Sequence, residues 1–208
     1  ATTGANGLDT GTLAIDSWYW GYVVYNPSNG NCALVYSLQT QEANVALPSG
    51  YTVAYKTPYA IKTLQSVAQV QPFTYVGGNG FVECYWATTR ADEQLFSNID
   101  TTEVTVDLAR HIPTGLNGTN AMLYGSFIVL SDAGLGVGDS TLYSRTGDAG
   151  TSVNFEIMRN FSNDSLQFSQ LIWLPIKNNA RAVNFRGNQT SGFRGNQGIS
   201  KGFRYFYG

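Results

Sequence analysis

The carboxylates and the single histidine are the residues whose types could support catalysis in this chain of 208 residues. Hydrolysis of a glycoside generally needs two carboxyl groups in a cleft, one acting as acid and the other as base or nucleophile. The pairs Asp92 with Glu93 and Asp132 with Asp139 lie in polar or loop stretches without such a signature, which indicates surface charges. His111 has no accompanying Gly-x-Ser-x-Gly nucleophile motif. The sequence predicts no catalytic residue and no enzyme.

Metal and cofactor sites lack the ligand sets that they require. One histidine and the separated Cys32 and Cys84 do not form a zinc site. Calcium would have to bind among Asp132, Asp139 and Asp148, whose spacing matches no calcium-binding loop. The glycines at 134, 136 and 138 are not followed by the lysine and helix of a phosphate-binding loop. We expect neither a metal nor a cofactor.

Recognition chemistry is concentrated near the C-terminus, where Phe185–Gln189 reads Phe-Arg-Gly-Asn-Gln and recurs eight residues later as Phe193–Gln197. A repeat this short fits two successive turns that present an aromatic ring and a guanidinium alike. Rings stack on the apolar faces of sugars, and amide and guanidinium groups hydrogen-bond to the hydroxyls. The predicted ligand-binding residues are Arg186, Asn188, Gln189, Phe193, Arg194, Asn196 and Gln197.

The strand predicted at positions 18–25 dominates the first half of the chain. It reads Trp-Tyr-Trp-Gly-Tyr-Val-Val-Tyr and lies between turn segments at 7–11 and 26–30. Alternation places Trp18, Trp20, Tyr22 and Val24 on one side and Tyr19, Val23 and Tyr25 on the other. Both faces are apolar or amphipathic, so the strand is buried between two layers or has one face covered by another subunit. The tryptophans assigned to the core or to a subunit interface are Trp18, Trp20, Trp86 and Trp173.

Most of the remaining chain is predicted as strands. Clean period-two alternation occurs at 103–108, 122–130 and 152–158. Short strand candidates lie at 51–55 and 59–64 on either side of Pro58, a hairpin turn at 77–80 leads into 81–88, and 171–176 is the most apolar run of the second half. Cys32 and Cys84 lie inside strand-like runs, which predicts two buried, unpaired thiols. The aromatic segment at 203–208 is expected to pair as a strand within a sheet or to lie at a trimer axis.

The fold class predicted from this pattern is all-β, an antiparallel β-sandwich or jelly roll. The polar stretch 89–100 is interpreted as one helical turn at a weak boundary between two halves. The predicted domains are an N-terminal β-meander or sandwich half at 1–98 and a C-terminal sandwich half at 99–208, or one continuous domain.

Charge and composition narrow the class of partner. Charged residues make up 12% of the chain, about half of the usual share. Residues 1–164 hold fourteen carboxylates and six cations, whereas the remainder holds six cations only. This basic tail either packs against the acidic body of its own or a neighbouring subunit or contacts anionic bacterial glycans. A sequence pI of about 5.3 argues against nucleic acid.

No signal peptide and no run of 18 apolar residues is present, so we expect neither membrane insertion nor export by the usual route. The start at Ala1 without an initiator methionine indicates a fragment of something longer.

Four short motifs carry a resemblance to a known family. They are Gly-Leu-Asp-Thr-Gly at 7–11, Trp-Tyr at 18–19, Tyr-Asn-Pro at 25–27 and Ala-Leu-Pro-Ser-Gly-Tyr-Thr at 46–52. Their order resembles a segment of phage tail fibre and tail spike proteins that lies close to the receptor-binding head, with a weaker match at 71–77. These motifs are turn and strand signatures and mark no active site.

The resemblance implies a bacteriophage virion protein, made in the host cytoplasm and acting extracellularly. Such a head domain is a homotrimer that attaches to a host cell-surface glycan or outer-membrane protein by multivalent, non-covalent binding. Two alternatives stay open: a subunit of a surface-polysaccharide depolymerase whose carboxylates meet across a subunit interface, and a purely structural trimerisation tip.

Overall fold

A computed structural model describes residues 2–87, 94–97, 102–116, 120–130, 140–146, 153–160, 167–176, 180–187 and 197–207. Within these ranges the chain forms fourteen strands and one short 3-10 helix at Glu42–Asn44. The strands are β1 (Gly7–Leu8), β2 (Trp18–Tyr25), β3 (Cys32–Ser37), β4 (Val53–Lys62), β5 (Phe73–Gly78), β6 (Phe81–Trp86), β7 (Gln94–Ser97), β8 (Val104–Asp107), β9 (Ala121–Leu130), β10 (Ser140–Thr146), β11 (Val153–Asn160), β12 (Gln167–Pro175), β13 (Ala182–Gly187) and β14 (Gln197–Phe206).

The prediction of a nearly all-β, mainly antiparallel chain is confirmed. One four-stranded sheet has the order β1-β3-β2-β4, and a second has the order β11-β10-β13-β8. A six-stranded sheet has the order β12-β9-β14-β6-β5, with β7 also paired to β14. The registers given for these sheets are antiparallel except for the short β1–β3 pair.

Two compact units divide the chain. The first comprises Ala1–Tyr75 with Pro113–Gly115, and the second comprises Val76–Ile112 with Leu116–Gly208. The domain boundary that the sequence predicts between residues 98 and 99 lies inside the second unit.

The core of the first unit lies under one face of β2. Trp18, Trp20, Tyr22 and Val24 are all buried, as alternation predicts. On the opposite face Val23 and Tyr25 are exposed, whereas Tyr19 is buried and its hydroxyl accepts a hydrogen bond from the Ala14 backbone N–H at 2.8 Å. The predicted alternation of this strand is therefore confirmed, and the structure shows that the side with the two tryptophans faces the core.

Pro58 does not separate two strands, which corrects the sequence prediction for this region. β4 runs continuously through it, because the pairing with β2 moves from Lys56 opposite Tyr22 to Ala60 opposite Trp20. The extra residues form an irregularity in which the Thr57 hydroxyl donates to the Gly21 carbonyl at 2.9 Å. A bulge of this kind lets a strand hold a proline, which has no N–H for the ladder.

An aromatic core fills the second unit between its two sheets. Phe185 of β13 lies with its ring centre 4.6 Å from Phe96 of β7 and 5.7 Å from Phe127 of β9. All three side chains are buried. Strand residues 94–97 contribute to this core, so the helical turn predicted within 89–100 is wrong for those positions.

The two cysteines differ in exposure. Neither forms a disulfide, but Cys32 is exposed at the start of β3 and only Cys84 is buried. The prediction of two buried thiols is therefore wrong for Cys32, because this residue lies on the outward face of its sheet opposite Tyr25.

The C-terminal aromatic strand is pinned into a sheet, as predicted. β14 lies between β9 and β6 in the middle of the six-stranded sheet. Its inward residues Phe203 and Tyr205 are buried. The placement of β14 decides which side chains meet on the outer face of that sheet.

Candidate functional site

The outer face of the six-stranded sheet collects polar and aromatic side chains from four strands. In β6, alternation puts Val82 and Cys84 toward the core, where both are buried. Phe81, Glu83 and Tyr85 therefore share the other face. This is the face on which the chemistry of the second unit is concentrated.

Strand pairing brings distant residues to the same place. Arg204 of β14 is the register partner of Glu83. One row further along, Gly202 pairs with both Tyr85 and Tyr124, and Tyr124 in turn pairs with Trp173 of β12. We call the resulting set the Arg204 cluster; its members are Phe81, Glu83, Tyr85, Tyr124, Trp173 and Arg204.

Glu83 holds the guanidinium of Arg204 in place. Arg204 Nε donates to Glu83 Oε1 at 2.7 Å, and Arg204 Nη2 donates to the same oxygen. The other carboxylate oxygen accepts a hydrogen bond from the Tyr85 hydroxyl. Both oxygens of Glu83 are thus occupied, and hydrogen bonds between charged groups are the strongest that side chains make.

Aromatic rings surround the guanidinium. Arg204 Cζ lies 4.5 Å from the ring centre of Trp173 and 5.3 Å from that of Phe81, within the range of cation–π attraction. Tyr124 stacks on Trp173 with ring centres 4.7 Å apart. Tyr85 meets Tyr124 and Trp173 edge-on at 5.6 and 6.2 Å. These contacts fix the orientation of the cation in addition to its position.

The exposure of the ion pair is unequal. The side chain of Glu83 is 11% exposed, whereas that of Arg204 is 30% exposed. Trp173, Tyr85 and Tyr124 are half-buried. Arg204 Nη1 and the Tyr124 hydroxyl make no hydrogen bond with any residue that the structure describes. A planar donor and a phenol are therefore presented to solvent beside aromatic carbon.

The cluster sets the protonation of Glu83. Burial of the carboxyl group favours its neutral form, but the hydrogen bonds from Tyr85 and Arg204 and the positive charge of Arg204 outweigh burial. The pKa of Glu83 therefore lies below its usual value. The carboxylate is charged at neutral pH, and the ion pair carries no net charge.

We expect Glu83→Gln to destabilise the protein at pH 7 by about 1–3 kcal/mol, because a charged hydrogen-bond acceptor is lost. A lowered folded-state pKa gives stability that is present above the unfolded pKa of about 4.3 and is lost as pH falls through the folded value. The difference between wild type and variant should shrink from pH 7 to pH 3 in urea unfolding. A difference in stability that stays constant from pH 7 to pH 3 contradicts the lowered pKa of Glu83.

Tyr85 is held as a neutral phenol. Burial, the hydrogen bond to Glu83 and the charges nearby raise its pKa to about 12, against a small opposing effect of Arg204. A phenol acting as a nucleophile needs the opposite shift, toward the phenolate. The cluster also contains a single carboxyl group, whereas most glycosidases use two. Its groups are suited to recognition, not to acid–base chemistry.

The residues that the sequence singles out for ligand binding are mostly beyond the described structure. Arg186 is half-buried in β13, where its backbone pairs with Tyr143, and Gln197 begins β14 opposite Ser97 and Ile128. The structure brings neither of these two into the Arg204 cluster. The other predicted residues lie outside the described ranges and stay predictions; they are Asn188, Gln189, Phe193, Arg194 and Asn196.

Sequence reasoning missed the Arg204 cluster. It assigned Trp173 to the core or a subunit interface, and the structure corrects the first of these, since Trp173 is half-buried on the outer face. Trp86 is likewise half-buried, whereas Trp18 and Trp20 are core residues. The available signal was the alternation in Phe81-Val-Glu-Cys-Tyr85, which sets a carboxylate and two rings opposite two small apolar residues.

Other kinds of site receive no support from the described part of the chain. His111 is buried. In the described ranges, no three side chains among histidine, cysteine, aspartate and glutamate are grouped as a metal site requires. None of the helical residues described forms a helix long and apolar enough to cross a membrane.

Comparisons with known proteins do not assign this chain to a family. No family model matches the chain, and no curated protein matches it.

Proposed function

We propose that this chain is the receptor-binding head of a bacteriophage tail fibre or spike, which attaches the virion to a glycan or protein on the host surface. The Arg204 cluster carries the proposal. It combines half-exposed aromatic rings with a guanidinium that is oriented by Glu83 and still open to solvent. Aromatic carbon beside fixed planar donors is the chemistry that binds sugar rings and their hydroxyls.

Neutral sugars fit this face best. The charge of Arg204 is balanced by Glu83 at neutral pH, so an anionic ligand meets a face with little net attraction. Hydroxyl groups can still accept from Arg204 Nη1 and bond to the Tyr124 phenol. Binding of this kind depends weakly on salt, since no net charge is neutralised on association.

The proposed assembly is a homotrimer with an all-β sandwich or jelly-roll body. Three weak sites on one rigid head, and several fibres on one particle, give an avidity far above that of a single site. No reaction is needed for attachment. The motifs at 7–52 support placement in the virion, with action outside the host cell.

The test is binding of the purified chain to immobilised bacterial surface polysaccharides, with the size of each polymer followed over time. We expect saturable binding with unchanged polymer length. Trp173→Ala and Arg204→Gln should each weaken binding by about tenfold or more, since each removes roughly 1.5 kcal/mol or more of contact. Arg110→Gln is the matched control, because it removes an exposed guanidinium outside the cluster.

Three outcomes decide between the proposals. Progressive shortening of the polymer identifies a depolymerase instead of an adhesin. Absence of binding to glycans and to host cells leaves the structural tip. Binding that survives both cluster variants but fails in Arg186→Gln moves the site to the predicted ligand-binding residues at 186–197.

A further inference from the structure

The outward face of the four-stranded sheet in the first unit carries a second, chemically different surface. In the strand register Val23 lies between Leu34 and Tyr55, and Tyr25 lies between Cys32 and Val53. These two rows of three residues across β3, β2 and β4 point away from the core side of β2. We call the six residues the uncharged face; they are Val23, Tyr25, Cys32, Leu34, Val53 and Tyr55.

This surface is open in the single chain. Tyr55 is 62% exposed, and Val23 and Tyr25 are each 38% exposed. None of the six residues is an aspartate, glutamate, lysine, arginine or histidine. The nearest charged side chain along β4, Lys56, lies on the other side of the sheet, where its Nζ is 3.8 Å above the ring of Trp20.

Such a composition is unusual for the solvent side of an antiparallel sheet, whose outward positions are normally polar. At the other end of β2, the chain itself covers the same face. There Tyr19 also points outward, but it is buried and hydrogen-bonded by the segment that contains Ala14. The chain thus covers one end of this outward surface itself and leaves the uncharged face bare.

We propose that the uncharged face is a contact surface between copies of this chain. Identical surfaces that meet around a symmetry axis place like residues near one another, which is costly where they are charged. Here no such cost arises. A strongly charged partner gains no complementary charge from this face, whereas a second copy matches it in polarity.

The size of the face agrees with the centre of such an interface. Each exposed tyrosine contributes on the order of 100 Å² of apolar surface, so the six residues supply a few hundred Å². A standard interface buries about 800 Å² on each partner, with an apolar centre and a polar rim. The rim is available here, because Asn31 and Thr52 flank the rows as exposed neutral polar residues. The proposal adds a contact surface to the assembly proposed above and does not depend on glycan binding.

Cys32 provides a direct reporter of this contact. It lies within the uncharged face and is exposed in the single chain, whereas Cys84 is buried. Burial of the face between copies therefore protects the more accessible of the two thiols. Ellman's reagent should modify Cys32 at least tenfold more slowly in the assembled protein than in a variant that cannot assemble.

The experiment combines sedimentation equilibrium of the full chain with the rate of thiol modification. Val23→Glu places a charge on the uncharged face, and Val104→Glu is the matched control, because Val104 is 39% exposed in β8 of the second unit. We expect wild type and Val104→Glu to assemble with Cys32 protected. Val23→Glu should be monomeric with Cys32 reactive.

A wild-type chain that stays monomeric at high micromolar concentration overturns the proposal. So does an assembly in which Cys32 reacts at the monomer rate, or one that Val23→Glu leaves intact. If circular dichroism shows that Val23→Glu does not fold, the milder Tyr55→Ser, at the most exposed of the six positions, replaces it with the same expected results. Polysaccharide binding measured on the monomeric variant separates this proposal from the function of the Arg204 cluster.

Discussion

Replacement of Gly202 by alanine is expected to destabilise the second unit severely. Gly202 lies in β14 at a register shift between Ser200 and Gly202 in the pairing with β9. Its φ of +155° is a backbone angle that residues other than glycine rarely adopt. A Cβ added at this position would lie 1.9 Å from the Cys84 carbonyl oxygen. That oxygen is backbone of β6, so no side-chain rotation relieves the clash.

The expected cost exceeds about 4 kcal/mol, which is exceptional for one methyl group and is a large share of the 5–15 kcal/mol of a typical domain. β14 is bonded to β6 on one side and to β9 on the other, so separating it from either neighbour breaks the six-stranded sheet. The Arg204 cluster should be lost as well, because its members lie on both sides of Gly202.

Gly78→Ala is the control for this prediction. Gly78 is also a strand glycine of the same sheet, but a Cβ there meets no atom within 4 Å. We expect it to change the free energy of unfolding by no more than about 1 kcal/mol. Urea unfolding followed by circular dichroism measures both variants. A Gly202→Ala protein as stable as Gly78→Ala contradicts the described bulge.

Local patterns in the sequence were sufficient to predict most strands of this fold. Alternation in residues 18–25 identified β2 and the side chains that share each of its faces, and Gly77-Gly78-Asn79-Gly80 predicted the hairpin between β5 and β6. Asn79 and Gly80 both have positive φ, 51° and 86°, which is what the common two-residue hairpin turn requires. These features depend only on residues close together in the chain.

Sheet order and the candidate site depend on pairing between distant segments, which local patterns do not contain. Arg204 meets Glu83 across more than a hundred residues, and Trp173 reaches the same face through β9. The bulge at Gly202 shifts the register of β14 by one residue, and such a shift changes which side chains face outward. A tryptophan in an apolar run was therefore interpreted as core.

Pro58 and Cys32 also show that local sequence does not decide whether a strand continues or which of its residues are buried. Pro58 is a strong breaker in sequence terms, yet Thr57 and Gly21 form the hydrogen bond that lets β4 continue past it. Cys32 has strand neighbours like those of Cys84, but the uncharged face is open and the core side is not. Burial of a strand residue is decided by what covers its face, which is a tertiary property.

Replacement of Trp20 by alanine is the second large effect that we expect, at about 3–5 kcal/mol of destabilisation. Trp20 is buried in the first unit, and its Nε1 donates to the Thr114 carbonyl at 2.9 Å. Its ring also lies under Lys56 Nζ, which donates to the Thr40 carbonyl at 2.9 Å. Removing the indole leaves a cavity, breaks the hydrogen bond to the Thr114 carbonyl and deprives the lysine of its aromatic partner.

Trp20→Phe separates these contributions, because it keeps a ring under Lys56 and loses the N–H. We expect it to cost about 1–2 kcal/mol, from the loss of one hydrogen bond and a small change in packing. Burial lowers the pKa of Lys56 against the opposing charge of Glu42, so in Trp20→Ala, where water reaches the ammonium group, that pKa should rise toward its usual value. Urea unfolding and NMR titration of the lysine measure the two effects. If Trp20→Ala is as stable as Trp20→Phe, the ring and its cation contact do not hold the first unit together, and the hydrogen bond to Thr114 accounts for the whole loss.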